Sequence, residues 1–272
     1  MPAPFRQADG RLWLEDLPLD ELAAALDGRA AWLVSHAALV RALARARRAA
    51  GGALTVPVSL LGPREVLALC AQSGDWALAA SRHELELARA AGFPAERLAV
   101  GAAVVEDGLI VDALTGQVGV LAAEAGNVGR IAAGLGLPAP PASGTPPLLA
   151  PGALRRVGGL LAPLLSGPPS LALDAAWVPA GRARLTLLPL NPAGEAPTGD
   201  ATLRGLPDAA PAPARLLGPV ARGQWVVLPD PRAVGVQRPD PAHPLPPVIM
   251  VRGSTWRPLD PRPWPADGAP RG

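Results

Sequence analysis

The chain has 272 residues, 49% hydrophobic and 18% charged, with a formal net charge of +2. That suffices for one large or two small domains with a sizeable core, and it is too apolar for a disordered chain. No apolar run reaches the roughly 18 residues of a membrane helix, MPAPFRQADGRLWLEDL lacks the layout of a secretion signal, and the single Cys70 leaves no internal disulfide and no metal cluster; a cytoplasmic location is the default.

The elements alternate from residue 11 to 137. AAWLVS (30–35) is a short apolar run, expected as a strand, and HAALVRALARARRAA follows with helical period. ALTVPVS (53–59) is again strand-like. Pro63 suits a first helical turn, and the helix through REVLALCAQS should stop at Gly74. WALAAS (76–81) is the next strand; Ser81 and Glu84 then form a capping box whose helix ends at Gly92. RLAVGA (97–102) is a strand, 106–114 a helix, QVGVLAA (117–123) a strand and AGNVGRIAAGLG a helix. Strands separated by single helices predict a parallel sheet, either part of a (β/α) barrel or a doubly wound fold. No glycine-rich fingerprint follows any strand, so a dinucleotide site has no support.

Residues 138–151 are Pro-rich and read as a loop, and GALRRVGGLLAPLL as a helix weakened by paired glycines. From about 169 the texture changes. SLALDAAWV, ARLTLLPL, ARLLGPV, QWVVLP and PPVIMVRG are short apolar runs divided by Pro, Gly and Asp, the pattern of an antiparallel β domain. The expected organisation is a shortened (β/α) barrel over 11–168, an antiparallel β domain over 169–258 and a loose tail over 259–272.

Some of these residues carry a resemblance. VPVSLLGPREVL (56–67) is similar to the cofactor strand of the pyridoxal-phosphate decarboxylases of the diaminopimelate and ornithine type, which have an alanine-racemase-like barrel. There the strand reads approximately Y-A-V-K-A-N, with a V-L pair about seven residues past the lysine. Here Val56 stands for the tyrosine, Ser59 for the lysine and Val66-Leu67 for the pair. Ser81-Arg82-His83-Glu84-Leu85 resembles the family's S-x-G-E-L, and AGFPAERLAVGA (91–102) its A-G-F-P-x-E-R-I phrase; the latter is the most specific match. SGPPSLALDAAWV (166–178) resembles the junction into the β domain without its acidic and Arg residues. GDATLRGLPDA (199–209) keeps Arg204 near a substrate-contacting element. LLGPVARGQW (216–225) has Ala221 where the family has its catalytic Cys, and PPVIMVRG (246–253) resembles the closing strand. The resemblance implies a barrel followed by a β domain, with roughly the last third of the barrel missing.

It also implies a cofactor held as a Schiff base on a lysine amine. The chain contains no Lys, and a serine hydroxyl cannot form that imine. The expectation is therefore a catalytically inactive homologue from which pyridoxal-phosphate binding is lost. It would act by binding, as a homodimer or in a heterodimer with an active decarboxylase paralogue, because the family builds its sites between subunits. One alternative is a still-active amino-acid decarboxylase-like enzyme of lysine or polyamine metabolism without the covalent lysine. A second is a nucleic-acid-binding protein, resting on a basic isoelectric point of about 9.8 and on Arg41, Arg45 and Arg48 along one helical face. No aromatic residues are interleaved there, so a solvated face is the expectation and nucleic acid is not a predicted partner.

The ligand-binding candidates are His36, at a strand-to-helix junction, His83 with Glu84, and Arg204. His83 and Glu84 could form a base–orienter pair, but a first helical turn beside its capping partner is the expectation. Cys70 reads as core and His243 as exposed; Asp75, Asp107 and Asp112 read as surface or cap positions. Trp32, Trp76, Trp177 and Trp225 should be core, and no metal site is expected.

Overall fold

The computed structural model describes residues 4–101, 107–122, 125–137, 145–154, 157–166, 170–173, 185–190, 200–204, 212–217, 220–229 and 246–259. The chain divides into two compact units, residues 1–42 with 154–272, and residues 43–153. This differs from the expected division after 168, because the first strands and the expected strand at 30–35 fall with the C-terminal part.

The first unit opens with β1 (Phe5–Ala8), β2 (Arg11–Leu14) and β3 (Leu17–Pro18), an antiparallel sheet. Asp9 and Gly10 both have positive φ, 51° and 70°, the backbone a two-residue hairpin needs to match strand twist. Helix α1 (Leu19–Ala25) buries Leu19, Leu22 and Ala23. Arg11 ties it to β2, donating to Asp20 at 2.7–3.0 Å and to Glu21 at 2.9 Å. Strand β4 (Ala31–Ser35) is buried at every residue, and helix α2 (His36–Ala50) follows directly.

The second unit is built on β5 (Thr55–Pro57), β6 (Trp76–Ala79), β7 (Leu98–Gly101) and β8 (Val120–Ala122), a parallel sheet in chain order. Its helices are α3 (Val58–Leu61), α4 (Arg64–Gln72), α5 (Arg82–Ala90), α6 (Asp107–Leu114) and α7 (Ala125–Leu135). Gly74 and Gly92 end α4 and α5 with φ of 80° and 93°, as their positions predict. The four strands do not close into a barrel. The end of the Pro-rich stretch runs beside β5 instead. Thr55 donates its N–H to Pro147 O at 2.8 Å and its hydroxyl to Pro146 O at 2.7 Å, and Leu149 N donates back to Thr55 O at 2.8 Å. A sheet edge that would otherwise be bare at Thr55 is thereby satisfied.

Asp75 and Asp112 correct the expectation of surface positions: both are buried, at 0% and 8% exposure. Arg47 of α2 grips the Asp75 carboxylate at 2.6–3.1 Å, and Leu54 N donates to it at 3.0 Å. A buried carboxylate is tolerable with that bidentate partner. Asp112 lies 3.1 Å from Arg82 of α5. Asp107 is exposed and pairs with Arg130 at 3.4 Å.

The chain then returns to the first unit with β9 (Gly158–Ser166), β10 (Ser170–Leu173), β11 (Leu185–Pro189), β12 (Asp200–Arg204), β13 (Ala212–Leu216), β14 (Trp225–Pro229), β15 (Val248–Arg252) and β16 (Thr255–Pro258). With β4 they form a nine-stranded sheet in the order β10-β12-β13-β11-β14-β9-β4-β15-β16, and a further β10–β9 pairing joins six strands into a closed circuit. The core gathers Leu12, Leu14, Leu33, Leu161, Val227, Ile249 and Val251 among others. Two expectations are corrected here. AAWLVS forms the predicted strand but lies between β9 and β15, not in the parallel sheet. GALRRVGGLLAPLL is a 3₁₀ turn (Pro151–Leu154) followed by β9, not a helix. Gly159 shows why: a Cβ there would lie 2.7 Å from Leu228 O, so the glycine that weakens a helix is what the close approach of β14 requires.

Candidate functional site

In a parallel α/β sheet, chemistry collects where the strands end and the helices begin. In the second unit that end carries α3 after β5 and the start of α5 after β6. The expected strand 53–59 stops at Pro57, which lacks the N–H to continue the ladder and, at φ −61° and ψ 124°, starts α3. Ser59 is therefore an exposed residue of a one-turn helix rather than a side chain projecting from a strand. Helix α3 packs against α5 and β6.

At the start of α5 the capping box forms. Ser81 Oγ accepts from Glu84 N at 3.3 Å, and Glu84 Oε2 reaches back to accept from Ala80 N at 2.8 Å. The carboxylate that a base–orienter pair with His83 would need is thus committed to the backbone, and His83 is exposed. Cys70 is buried in α4, and burial pushes its thiol up to about 12, with the Asp75 carboxylate adding to the effect; a thiol so held is core rather than nucleophile.

The first unit contains a site the sequence reading missed. Glu15, in the turn between β2 and β3, has φ of 56°, unusual for a residue with a Cβ. Its Oε1 accepts from Ser35 Oγ at 2.7 Å and Ala37 N at 2.8 Å, and its Oε2 from Gly253 N at 2.6 Å. Ser35 in turn accepts from Ala38 N at 3.0 Å, capping α2. Burial alone would raise the Glu15 carboxyl. The Ser35 hydroxyl, the Ala37 and Gly253 amides and the nearby His36 together outweigh it, and the pKa lies below the ordinary value. One carboxylate thus joins the β2–β3 turn, the start of α2 and the β15–β16 turn. No local sequence signal marks it, since all three partners are remote in sequence.

His36, half-buried, begins α2 beside this cluster. Arg204 lies on β12, at least two strands away from β4 in the sheet; its side chain, His243 and Trp177 lie outside the described residues. Ala221 is exposed in the turn before β14, where its N–H donates to Gln224 Oε1 at 2.8 Å. Trp32 is buried as expected, while Trp76 and Trp225 are half-buried. Of the candidates, His36 and Arg204 belong to one unit, and His83 and Glu84 to the other. Among the described residues no three of His, Cys, Asp and Glu gather as a metal site, and no helix is long and apolar enough to cross a membrane.

No protein-family profile and no curated protein matches the chain. Solved structures do. AQ1208 from Aquifex aeolicus is similar with a TM-score of 0.76 at 14% identity, covering 94% of each chain. A diaminopimelate decarboxylase from M. jannaschii is similar with a TM-score of 0.71 at 11% identity, covering 97% of this chain and 96% of that one. The arginine decarboxylase of Paramecium bursaria Chlorella virus, solved with agmatine, has a TM-score of 0.65 at 8% identity, covering 86% and 99%. At such identities the likeness is one of fold. The chain has the α/β-plus-β fold of the pyridoxal-phosphate decarboxylases that its motifs resemble, in a shortened form with four parallel strands among the described residues. Its residues do not fit a covalently held pyridoxal phosphate: no side chain in the chain is a primary amine, and Ser59 offers only an exposed hydroxyl.

Proposed function

We propose that this protein is a catalytically silent relative of the diaminopimelate- and ornithine-type decarboxylases, which has lost covalent pyridoxal-phosphate chemistry and acts by binding a second copy of itself or an active decarboxylase. The observation that carries this reading is Ser59. At the position where the resemblance requires an amine on a strand there is a hydroxyl on a one-turn helix, in a chain without lysine. The thiol position of the family is equally blank, with exposed Ala221 in a turn. Neither change blocks folding, because neither residue is buried; both remove chemistry and leave the scaffold.

The test combines spectroscopy, activity and association. The full chain, incubated with pyridoxal phosphate and dialysed, should show no imine absorbance. It should release no carbon dioxide from diaminopimelate, ornithine, lysine or arginine. Light scattering should show a dimer, or an intact decarboxylase from the same cells should be retained by the immobilised chain. Cofactor surviving dialysis, or measurable decarboxylation, would favour the alternative of a working enzyme without the covalent lysine. A monomer that retains no decarboxylase would overturn the binding role.

A further inference from the structure

We infer that the outer face of α2 is a docking surface for the sugar–phosphate backbone of a nucleic acid, through Arg41, Arg45 and Arg48. Residues at these spacings fall within one narrow stripe of a helix, spread over about 10 Å of its axis. All three side chains are exposed. None takes part in any of the ion pairs or hydrogen bonds of the described residues.

The rotation of the helix explains the exposure. Leu39, Ala42 and Leu43 are buried, and Arg47 is held by the buried Asp75. The other three arginines are left facing outward. Helix α2 contains no acidic residue, so like charges three and four residues apart repel with no intrahelical compensation. That arrangement is unfavourable alone and favourable against a line of negative charge.

The surroundings select among anionic partners. A protein interface of ordinary stability has a desolvated apolar centre, but the only large apolar side chain of α2 that is exposed is Val40, at 41%. An amphipathic helix on a membrane needs an accessible apolar face, and the apolar face of α2 is already buried. A compact anion needs convergent donors, whereas these guanidinia are strung along an axis. A phosphate backbone requires only a row of exposed cations and no apolar contact.

The experiment is fluorescence anisotropy of the full chain with a labelled random-sequence DNA duplex. Three phosphate contacts predict a slope of log affinity against log salt of about −2.7, or roughly 40-fold weaker binding at 200 mM than at 50 mM salt. Each single variant, Arg41→Gln, Arg45→Gln or Arg48→Gln, should reduce the slope by about 0.9. The triple variant should abolish salt-sensitive binding with its circular dichroism unchanged, and Arg64→Gln, an exposed arginine of α4, should have no effect. The single variants decide the matter if the triple variant misfolds. No binding at 50 mM salt, a triple variant that binds as the parent does, or polyglutamate competing as well as unlabelled DNA would each overturn the inference.

Discussion

Glu15 ties together three elements of the first unit. It holds a left-handed backbone that costs about 1–2 kcal/mol for a residue with a Cβ, and its carboxylate repays this with three hydrogen bonds to separate elements. The two contributions can be separated by substitution. Glu15→Ala loses the acceptor and keeps the strain, and should destabilise by about 2–3 kcal/mol; Glu15→Gly relieves the strain and should recover about 1 kcal/mol of that. Urea unfolding of the two variants measures both, and equal losses would refute the strain argument. The pH dependence follows from the direction of the shift. The folded pKa is depressed, so the contribution is complete above the ordinary carboxylate pKa and disappears as pH falls through the folded value. Unfolding midpoints of the parent should therefore drop on acidification over that range by more than those of Glu15→Gln. Asp75 is a different case: its carboxylate is fully buried on Arg47, where removing one partner leaves the other uncompensated.

At the scale of elements, β9 shows where sequence reading ends. Its run GGLLAPLLS has no alternation, since successive residues from Gly158 to Ala162 are buried alike, and a continuous apolar run does not distinguish helix from strand. The decisive constraint is tertiary, the approach of Leu228 O to Gly159. Gly159→Ala should therefore be destabilising by several kcal/mol although alanine is the better residue in most local contexts, and a thermal melt of the variant that matched the parent would contradict the packing described. By contrast, α4 and α5 were legible because their signals are local: Pro63, Ser81 with Glu84, and the glycines at 74 and 92 act within a few residues of the ends they define. The strand at 30–35 was legible as a strand but not as a member of its sheet, since its partners β9 and β15 lie far along the chain. The candidate site was legible only in what it lacks. The missing amine at Ser59 can be read directly, but its transfer from strand to helix depends on Pro57, and the Glu15 cluster depends on residues up to 238 positions apart.

For the molecule as a whole, the second unit is an insertion: residues 43–153 interrupt a unit built from both sides of them in the chain. The inserted unit has its own sheet and its own buried ion pair, so residues 43–153 expressed alone should fold, with a cooperative melt and a helical circular dichroism spectrum. Residues 154–272 alone should not, because β4 separates β9 from β15 in their sheet. A fragment 43–153 that melts without cooperativity would show that the insertion depends on its host. The position of β4 has a temporal consequence. Ser35 leaves the ribosome more than a hundred residues ahead of Gly158 and more than two hundred ahead of Val248. At translation rates of about 5–20 residues per second, this fully buried strand waits on the order of ten seconds for its first neighbour. During that interval the nascent chain displays a sticky apolar ribbon with nothing to pair with, and chaperone demand should peak there, while the inserted unit is being synthesised.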